Sequence, residues 1–400
     1  MLRVERGKCP ARVLLLPQGW IAQTETYPTI APVPEADELA LAERLISYDS
    51  SRPDGVKSAM GFLKGWLEGQ GIAHRTYEVN GLPSIVAAVG DGPVTLIWNA
   101  HVDVVPARSE QFSPWHVDGR LYGRGAYDMK GGLAGMLAAL ADLSQAREMI
   151  PGVKVKLLIV PDEESEEDSN QPKSSAFLAS EGHLGEFVVC GEPTNLEIGV
   201  QSKGVLVVRV DVEGRAAHGS TPWLGDSAVL KAFEIYRRIL ELPFASGSSE
   251  LYEHPSINIG RIRGGDVVNI VPDHCRMDVD IRYLPNQAPE EVLRQLRSLG
   301  AEVTPIYEMP PATLDPGEPH VQVLREAVGA LQGGTAPAVG RHGASDAVFF
   351  LERGIPAIEF GPAGGGHHGP EEYVEIESLR RYRRILVEFA RRLSSTPNRG

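Results

Sequence analysis

The apolar run VKVKLLIVPDEESEE, Val153 to Glu167, closes on three acidic residues, Asp162, Glu163 and Glu164. A buried strand of this composition delivers carboxylates to the carboxyl edge of a sheet, where ligand sites form in open α/β folds. Adjacent side chains of extended chain point to opposite sides, so one glutamate can hold a metal while the other faces substrate as a general base. A solvated acidic loop is the alternative, because Glu166, Glu167 and Asp168 follow directly.

Residues of matching chemistry recur along the chain. His101, Glu164, Glu192 and His368 stand at or just beyond the carboxyl ends of expected strands, and Asp128 stands just ahead of an expected helix. Singly, a histidine at a strand end or an aspartate in a glycine-rich loop is more often structural. Together, two imidazoles and three carboxylates suit a pair of divalent ions with one carboxylate bridging. Water held between two metals about 3.5–4 Å apart loses a proton readily and becomes a nucleophile near neutral pH.

The elements that must position these residues follow from periodicity. Residues 35–70 are helical, with Leu41, Leu45, Met60, Leu63 and Leu67 on apolar faces. Strands are expected at 84–89, 94–100 and 187–190, and Leu133, Met136, Leu137, Leu140 and Leu143 mark a helix after Asp128. Gly131, Gly132 and Gly135 weaken that helix by up to roughly 1 kcal/mol each relative to Ala, which points to close backbone packing or a tight turn. Beyond Lys203 the order becomes strand 205–212, helix 226–240, strands 256–261 and 274–283, helix 289–299 and strand 302–308. That βαββαβ order is ferredoxin-like and implies a separate domain. From Pro310 the α/β texture returns, with a helix near 321–331, a helix-like stretch at 345–352, a strand at 355–360 and a last helix at 376–393, so the second domain is inserted into the first.

The 400 residues carry a formal net charge of −14, which disfavours nucleic acid and anionic membrane surfaces as partners. Cys9, Cys190 and Cys275 are odd in number and widely spaced, so neither a disulfide framework nor a CxxC site is indicated, and a cytoplasmic setting is expected. The apolar patch within 12–22 is too short for a membrane span, and residues 1–34 are expected to form a loosely ordered extension.

HVD at 101–103, GRGAYDMKGG at 123–132, DEE at 162–164, GEPT at 191–194, GRAAHGSTPWLGDSA at 214–228 and HGPEEYV at 368–374 resemble the dizinc metallopeptidase family of acetylornithine deacetylase, succinyl-diaminopimelate desuccinylase, carboxypeptidase G and aminoacylase. The resemblance implies an α/β fold: a zinc-exopeptidase-type catalytic domain, a mixed sheet between helices over 35–204 and 310–400, with an inserted ferredoxin-like α+β lid and dimerisation domain over 205–309. It implies His101 and Glu192 as ligands of one metal, Glu164 and His368 as ligands of the other, and Asp128 as the bridge. The metals would be zinc, with cobalt or manganese as possible substitutes. Asp103 would accept the other N–H of His101, and Pro193 biases Glu192 to extended geometry. His368 rather than His367 is selected because it stands four residues before Glu372, as in the family. Glu163 would be the general base, and His218 of a partner subunit in a homodimer would stabilise the oxyanion. Asn269 and Arg282 would bind a substrate carboxylate, although Arg282 could equally be a strand residue paired with Asp280. Gly343 and Ser345 belong to a loop that resembles the family's substrate loop, with Ala344 where a hydroxyl residue is usual.

The implied activity is hydrolysis of small N-acyl amino acids. An exopeptidase acting on short peptides is the rival within the family, and a catalytically silent scaffold is the rival outside it. All five ligand positions and Glu163 are filled, which disfavours the scaffold.

Overall fold

The computed structural model describes residues 37–164 and 172–395. The extension expected over residues 1–34 lies outside the described residues. Helices α1 (Glu38–Ile46) and α2 (Pro53–Gly69) lead into β1 (Ala73–Val79), β2 (Leu82–Val89) and β3 (Val94–His101). A short ribbon, β4 (Trp115–Val117) and β5 (Arg120–Tyr122), precedes α3 (Lys130–Gln145) and β6 (Val153–Val160). Next come α4 (Ser174–Ser180), β7 (Phe187–Cys190) and β8 (Ile198–Ser202). The inserted run holds β9 (Gly204–Glu213), α5 (Ala228–Ile239), β10 (Ser256–Gly264), β11 (His274–Tyr283), α6 (Pro289–Arg297) and β12 (Glu302–Met309). The chain returns through α7 (Pro319–Gln332), β13 (Ala338–Arg341), α8 (Ala347–Leu351), β14 (Ala357–Glu359), β15 (Gly364–Gly365), β16 (Tyr373–Glu375) and α9 (Ile376–Ser395).

The large sheet has the order β1-β2-β6-β3-β7-β14-β8-β13. Its centre is parallel: β3 pairs in parallel with β6 on one side and β7 on the other, and β7 with β14. The chain therefore leaves β3 toward one neighbour and later returns to its other side, which opens a crevice at the carboxyl ends of these strands. Trp98, Leu157, Ile159 and Val189 join α1, α2, α3, α7 and α9 in one core, while Ile97, Leu158, Val160 and Val188 pack with α4 and α8 on the opposite face. Burial on both faces explains the near-continuous apolar runs. α3 is buried along most of its length. Its glycines are accounted for: a Cβ at 132 would collide with the Gly191 carbonyl, and one at 135 would meet the Tyr382 ring.

The inserted sheet has the order β10-β11-β9-β12, antiparallel throughout, as a ferredoxin-like βαββαβ unit requires. Met277, Val279 and Ile281 enter a core with Val208 and Val210, while Arg276 and Arg282 on the alternate positions stay accessible. The strands missed in the sequence are β1, β8 and β13 and the short four-stranded sheet β15-β16-β5-β4. Most of these are edge or ribbon strands with little apolar periodicity.

Candidate metal centre

Strand register sets the level of the site. His101 stands beside Val160 and Asn99 beside Cys190, so the segments after β6 and β7 emerge next to the end of β3. His101 Nε2 lies 3.1 Å from Asp128 Oδ1 and 3.7 Å from Glu192 Oε1. The other oxygen, Asp128 Oδ2, lies 2.5 Å from His367 Nε2 and 3.3 Å from His368 Nε2. His368 Nε2 is also 3.0 Å from Glu164 Oε1. Asp128 thus turns one oxygen toward each half of the cluster, the disposition a bridging carboxylate needs.

Burial and charge suit this cluster to a cation. Desolvation pushes the carboxyls of Glu163 and Glu192 well above their usual range, with Asp128 adding to the effect at Glu192. Desolvation would also raise Asp128, but hydrogen bonds with His101, His367 and His368 hold it well below the ordinary value. Burial alone would lower His368, whereas Asp128 and Glu164 lift it to about 10. So many carboxylates in one pocket bind protons when no other positive charge is present. Three imidazoles and three carboxylates without a thiolate fit zinc or a similar divalent ion. Groups able to hold an ion occur as Asp128 with His367 and His368, and as His101 with Asp128 and Glu164.

The positioning of the acidic pair differs from the alternation expected of extended chain. The chain bends after β6, and Asp103 accepts hydrogen bonds from the backbone N–H of Glu163 at 3.2 Å and of Glu164 at 2.8 Å. Both glutamates therefore line the same cleft, and of the two only Glu164 meets an imidazole. Asp162 turns away and accepts from the N–H and hydroxyl of Ser174 at the start of α4, burial raising its pKa to about 6. The role expected of Asp103 is shared within the residue: its backbone carbonyl stands 3.0 Å from His101 Nδ1, its carboxylate 3.6 Å.

A cleft of about 720 Å³ opens over the cluster, lined by Glu163, Glu164 and Glu192 below and by Val205, Val207 and Arg282 of the inserted sheet above. Arg282 borders the cleft, and its Nε is 2.8 Å from Asp280 Oδ1, the pairing expected of a strand residue. Gly343 borders the cleft with Ala344, whereas Ser345 is buried and accepts from the Ala347 N–H. His218 and Asn269 are exposed on adjoining loops of the inserted unit and do not border the cleft of their own chain.

Sequence reasoning passed over several residues of the site. His367, only a neighbour of the ligand in the sequence reading, reaches Asp128 more closely than His368 does. Glu372 served only as a landmark, yet its Oε1 accepts from the N–H groups of Tyr127 and Asp128, each at 3.0 Å. Its other oxygen pairs with buried Arg124, whose second nitrogen donates to the His368 carbonyl at 2.9 Å. Arg124 and Glu372 sit inside recognised motifs 248 residues apart, and nothing local reveals that they meet. Arg341 borders the cleft, pairs with Glu359 and donates to the Pro193 carbonyl beside Glu192. Lys130 is fully buried, donates to the Tyr48 carbonyl at 2.8 Å, and is drawn by burial to a pKa of about 7.

Residues 97–392 match the sequence pattern of peptidase family M20/M25/M40. A succinyl-diaminopimelate desuccinylase of Gluconacetobacter diazotrophicus is 29% identical over 89% of this chain and 96% of its own length. Among solved structures, a tripeptidase of Staphylococcus aureus superimposes with a TM-score of 0.73 at 22% identity, covering 92% of this chain and 100% of that one. A family M20 metallo-carboxypeptidase of Sulfolobus solfataricus superimposes with a TM-score of 0.72 at 20% identity, covering 90% and 100%.

Proposed function

The chain belongs to peptidase family M20/M25/M40, which makes it a metal-dependent hydrolase of amide bonds, and from that premise we propose that it releases amino acids from small N-acyl derivatives. The observation that carries the reading is Asp128, whose two oxygens face separate imidazoles at the mouth of a cleft with Glu163 in its wall. His101 and Glu192 would hold one ion and Glu164 and His368 the other, with Asp128 available to both; zinc would suit this set, with cobalt and manganese as substitutes. Such a pair supplies positive charge that acidifies water and polarises a carbonyl.

The chain's own residues do the rest. Glu163 takes the proton from the attacking water and returns it to the leaving nitrogen, which departs poorly unless protonated. Asp103 fixes the backbone of Glu163 and Glu164, and Glu372 fixes that of Asp128. Arg282 presents a planar donor to a substrate carboxylate.

We place the inserted unit, residues 205–309, as a lid through which two chains pair, each lending His218 and Asn269 to the other's cleft. The support is apolar surface on that unit: Trp223 is 74% and Leu230 71% exposed, and Phe233 and Val268 are exposed as well. Mixing inactive His218→Ala protein with inactive Glu163→Ala protein should restore activity once subunits exchange; no recovery after verified exchange sinks the shared site. The cytoplasm is the proposed setting, on cysteines that are free and buried at 190 and 275.

The deciding measurement is amine release from N-acetyl, N-succinyl and N-formyl amino acids and from dipeptides, with zinc, cobalt or manganese added and with chelator. Turnover of acyl amino acids that chelator abolishes supports the proposal. The rival exopeptidase is favoured by the apolar lid wall of Val205, Val207, Ile306 and Met309, which suits a peptide side chain; preference for dipeptides would select it. Silence with both metals bound defeats both readings.

A further inference from the structure

The inserted sheet continues past the cleft as a basic surface. Arg261, which borders the cleft, also lines a separate concavity of about 260 Å³ with Arg209, Arg263 and Arg276. Register explains the gathering. Arg263 stands opposite Arg276, and Arg261 opposite Asp278, on β10 and β11; Asp278 in turn stands opposite Arg209, and Arg276 opposite Asp211, on β11 and β9. All of them project from the face that α5 and α6 leave uncovered. Like charges placed directly across a sheet are unfavourable, so the Arg263–Arg276 pair needs a reason to exist.

The two aspartates answer only part of this charge. Asp278 lies 3.1 Å from Arg209 Nε and 3.2 Å from Arg261 Nε. Asp211 lies 2.8 Å from Arg276 Nε and 3.1 Å from His274 Nε2. Each of the three arginines is held through Nε, and none of their terminal Nη atoms makes a hydrogen bond among the described residues. Arg263 has no ion pair among the described residues. The concavity itself is lined by four guanidiniums, His274 and the single carboxylate of Asp278, with Asp211 and Glu302 farther along the sheet and Asp266 and Asp273 beyond Arg263, on a chain whose formal net charge is −14.

We propose that this groove is a carboxylate subsite, contiguous with the cleft through Arg261, which binds an acidic group of the substrate remote from the scissile amide. The aspartates orient guanidinium planes whose outer nitrogens match the two oxygens of a carboxylate. Substrates with an additional carboxylate are then preferred over neutral isosteres, and the preference weakens with salt because the groove is open to solvent. The inference rests on the amide-hydrolase reading for the word substrate, but the anion site itself does not.

Two readouts separate them. In the first, the metal-loaded enzyme is titrated calorimetrically with tricarballylate, a small tricarboxylate, and separately with inorganic phosphate. In the second, kcat/KM is compared within pairs differing by one carboxylate: N-succinyl against N-butanoyl norleucine, and N-acetyl-2-aminoadipate against N-acetylnorleucine. The variants are Arg263→Gln, which disturbs no ion pair, and the double variant Arg209→Gln with Arg276→Gln. Tricarballylate binding and the preference for the acidic member should each fall about tenfold in both variants, with the neutral member's kcat/KM within about twofold of the parent, the loss of a charged hydrogen-bonded pair being of that order.

Unchanged tricarballylate binding in Arg263→Gln, or phosphate binding in place of tricarballylate, overturns the subsite. Turnover of neutral and acidic amides without an arginine-dependent preference removes the substrate assignment and leaves the hydrolase reading standing. Arginine-dependent tricarballylate binding with no amide turned over does the reverse.

Discussion

The metal centre and the free face of the inserted sheet both gather charge, and they hold it in opposite ways. At the centre, His101, Asp128 and Glu192 are buried, and Asp103 and Glu372 bind the backbone that carries Glu163, Glu164 and Asp128. On the lid face, arginines project from a strand surface and share two aspartates among them, half open to water. A reacting atom misplaced by about 1 Å can cost a hundredfold in rate, so the floor is over-determined by packing. A recognition surface tolerates reach and exchange, since exposed ion pairs contribute little stability and cost little to rearrange.

The comparison breaks most visibly at Glu163. Glu163→Ala should lower kcat by about 10³-fold, within the range for a lost general base, while metal content measured by atomic absorption stays intact; loss of metal instead would mean that Glu163 and Glu164 have exchanged roles.

Glu359 tests the rule from inside the catalytic sheet, because there an Arg–carboxylate pair of the lid's kind is buried. Burial raises the Glu359 carboxyl to about 7 despite Arg341 at 3.4 Å. The unfolded chain releases this proton near pH 4.5 and the folded chain holds it to about 7, so folded-state stability falls as pH rises through that window. The metal-free Glu359→Gln protein should lack that fall, worth about 3 kcal/mol across the window. Urea unfolding at both ends of the window measures it; equal slopes in the two proteins would show an ordinary carboxyl.

Glu372→Gln asks whether the floor depends on backbone support. It should weaken metal affinity by about 10–100-fold while ligands and base remain, the usual cost of losing a partner behind the ligands. Competition with a fluorescent chelator reads this directly, and unaltered affinity would leave Asp128 held by the imidazoles alone.

Arg282→Gln sharpens the lid side of the contrast. KM should rise about tenfold with kcat nearly unchanged, as for binding made equally in ground and transition states. A fall in kcat with constant KM would move Arg282 from recognition into the chemistry.

Much of this molecule is legible in order along the chain. The apolar runs that end on His101, on Asp162 to Glu164 and before Glu192 are strands because both sheet faces are covered, and the alternation in residues 274–283 is visible because only one face is. The residue types gathered at the strand ends and the βαββαβ order were readable because strand ends and periodicities are local properties. What only the tertiary structure decided are encounters across long separations. Arg124 meets Glu372, both His367 and His368 reach Asp128, Arg341 reaches the carbonyl next to Glu192, and Ser345 sinks beneath the cleft while Ala344 borders it. The bend that turns Glu163 and Glu164 into one cleft is of the same kind, since Asp103 imposes it from the end of another strand. Periodicity records which side of its own element a residue occupies; which residues of distant elements then share a hydrogen bond is set by strand order and loop return, and no local pattern in the chain encodes them.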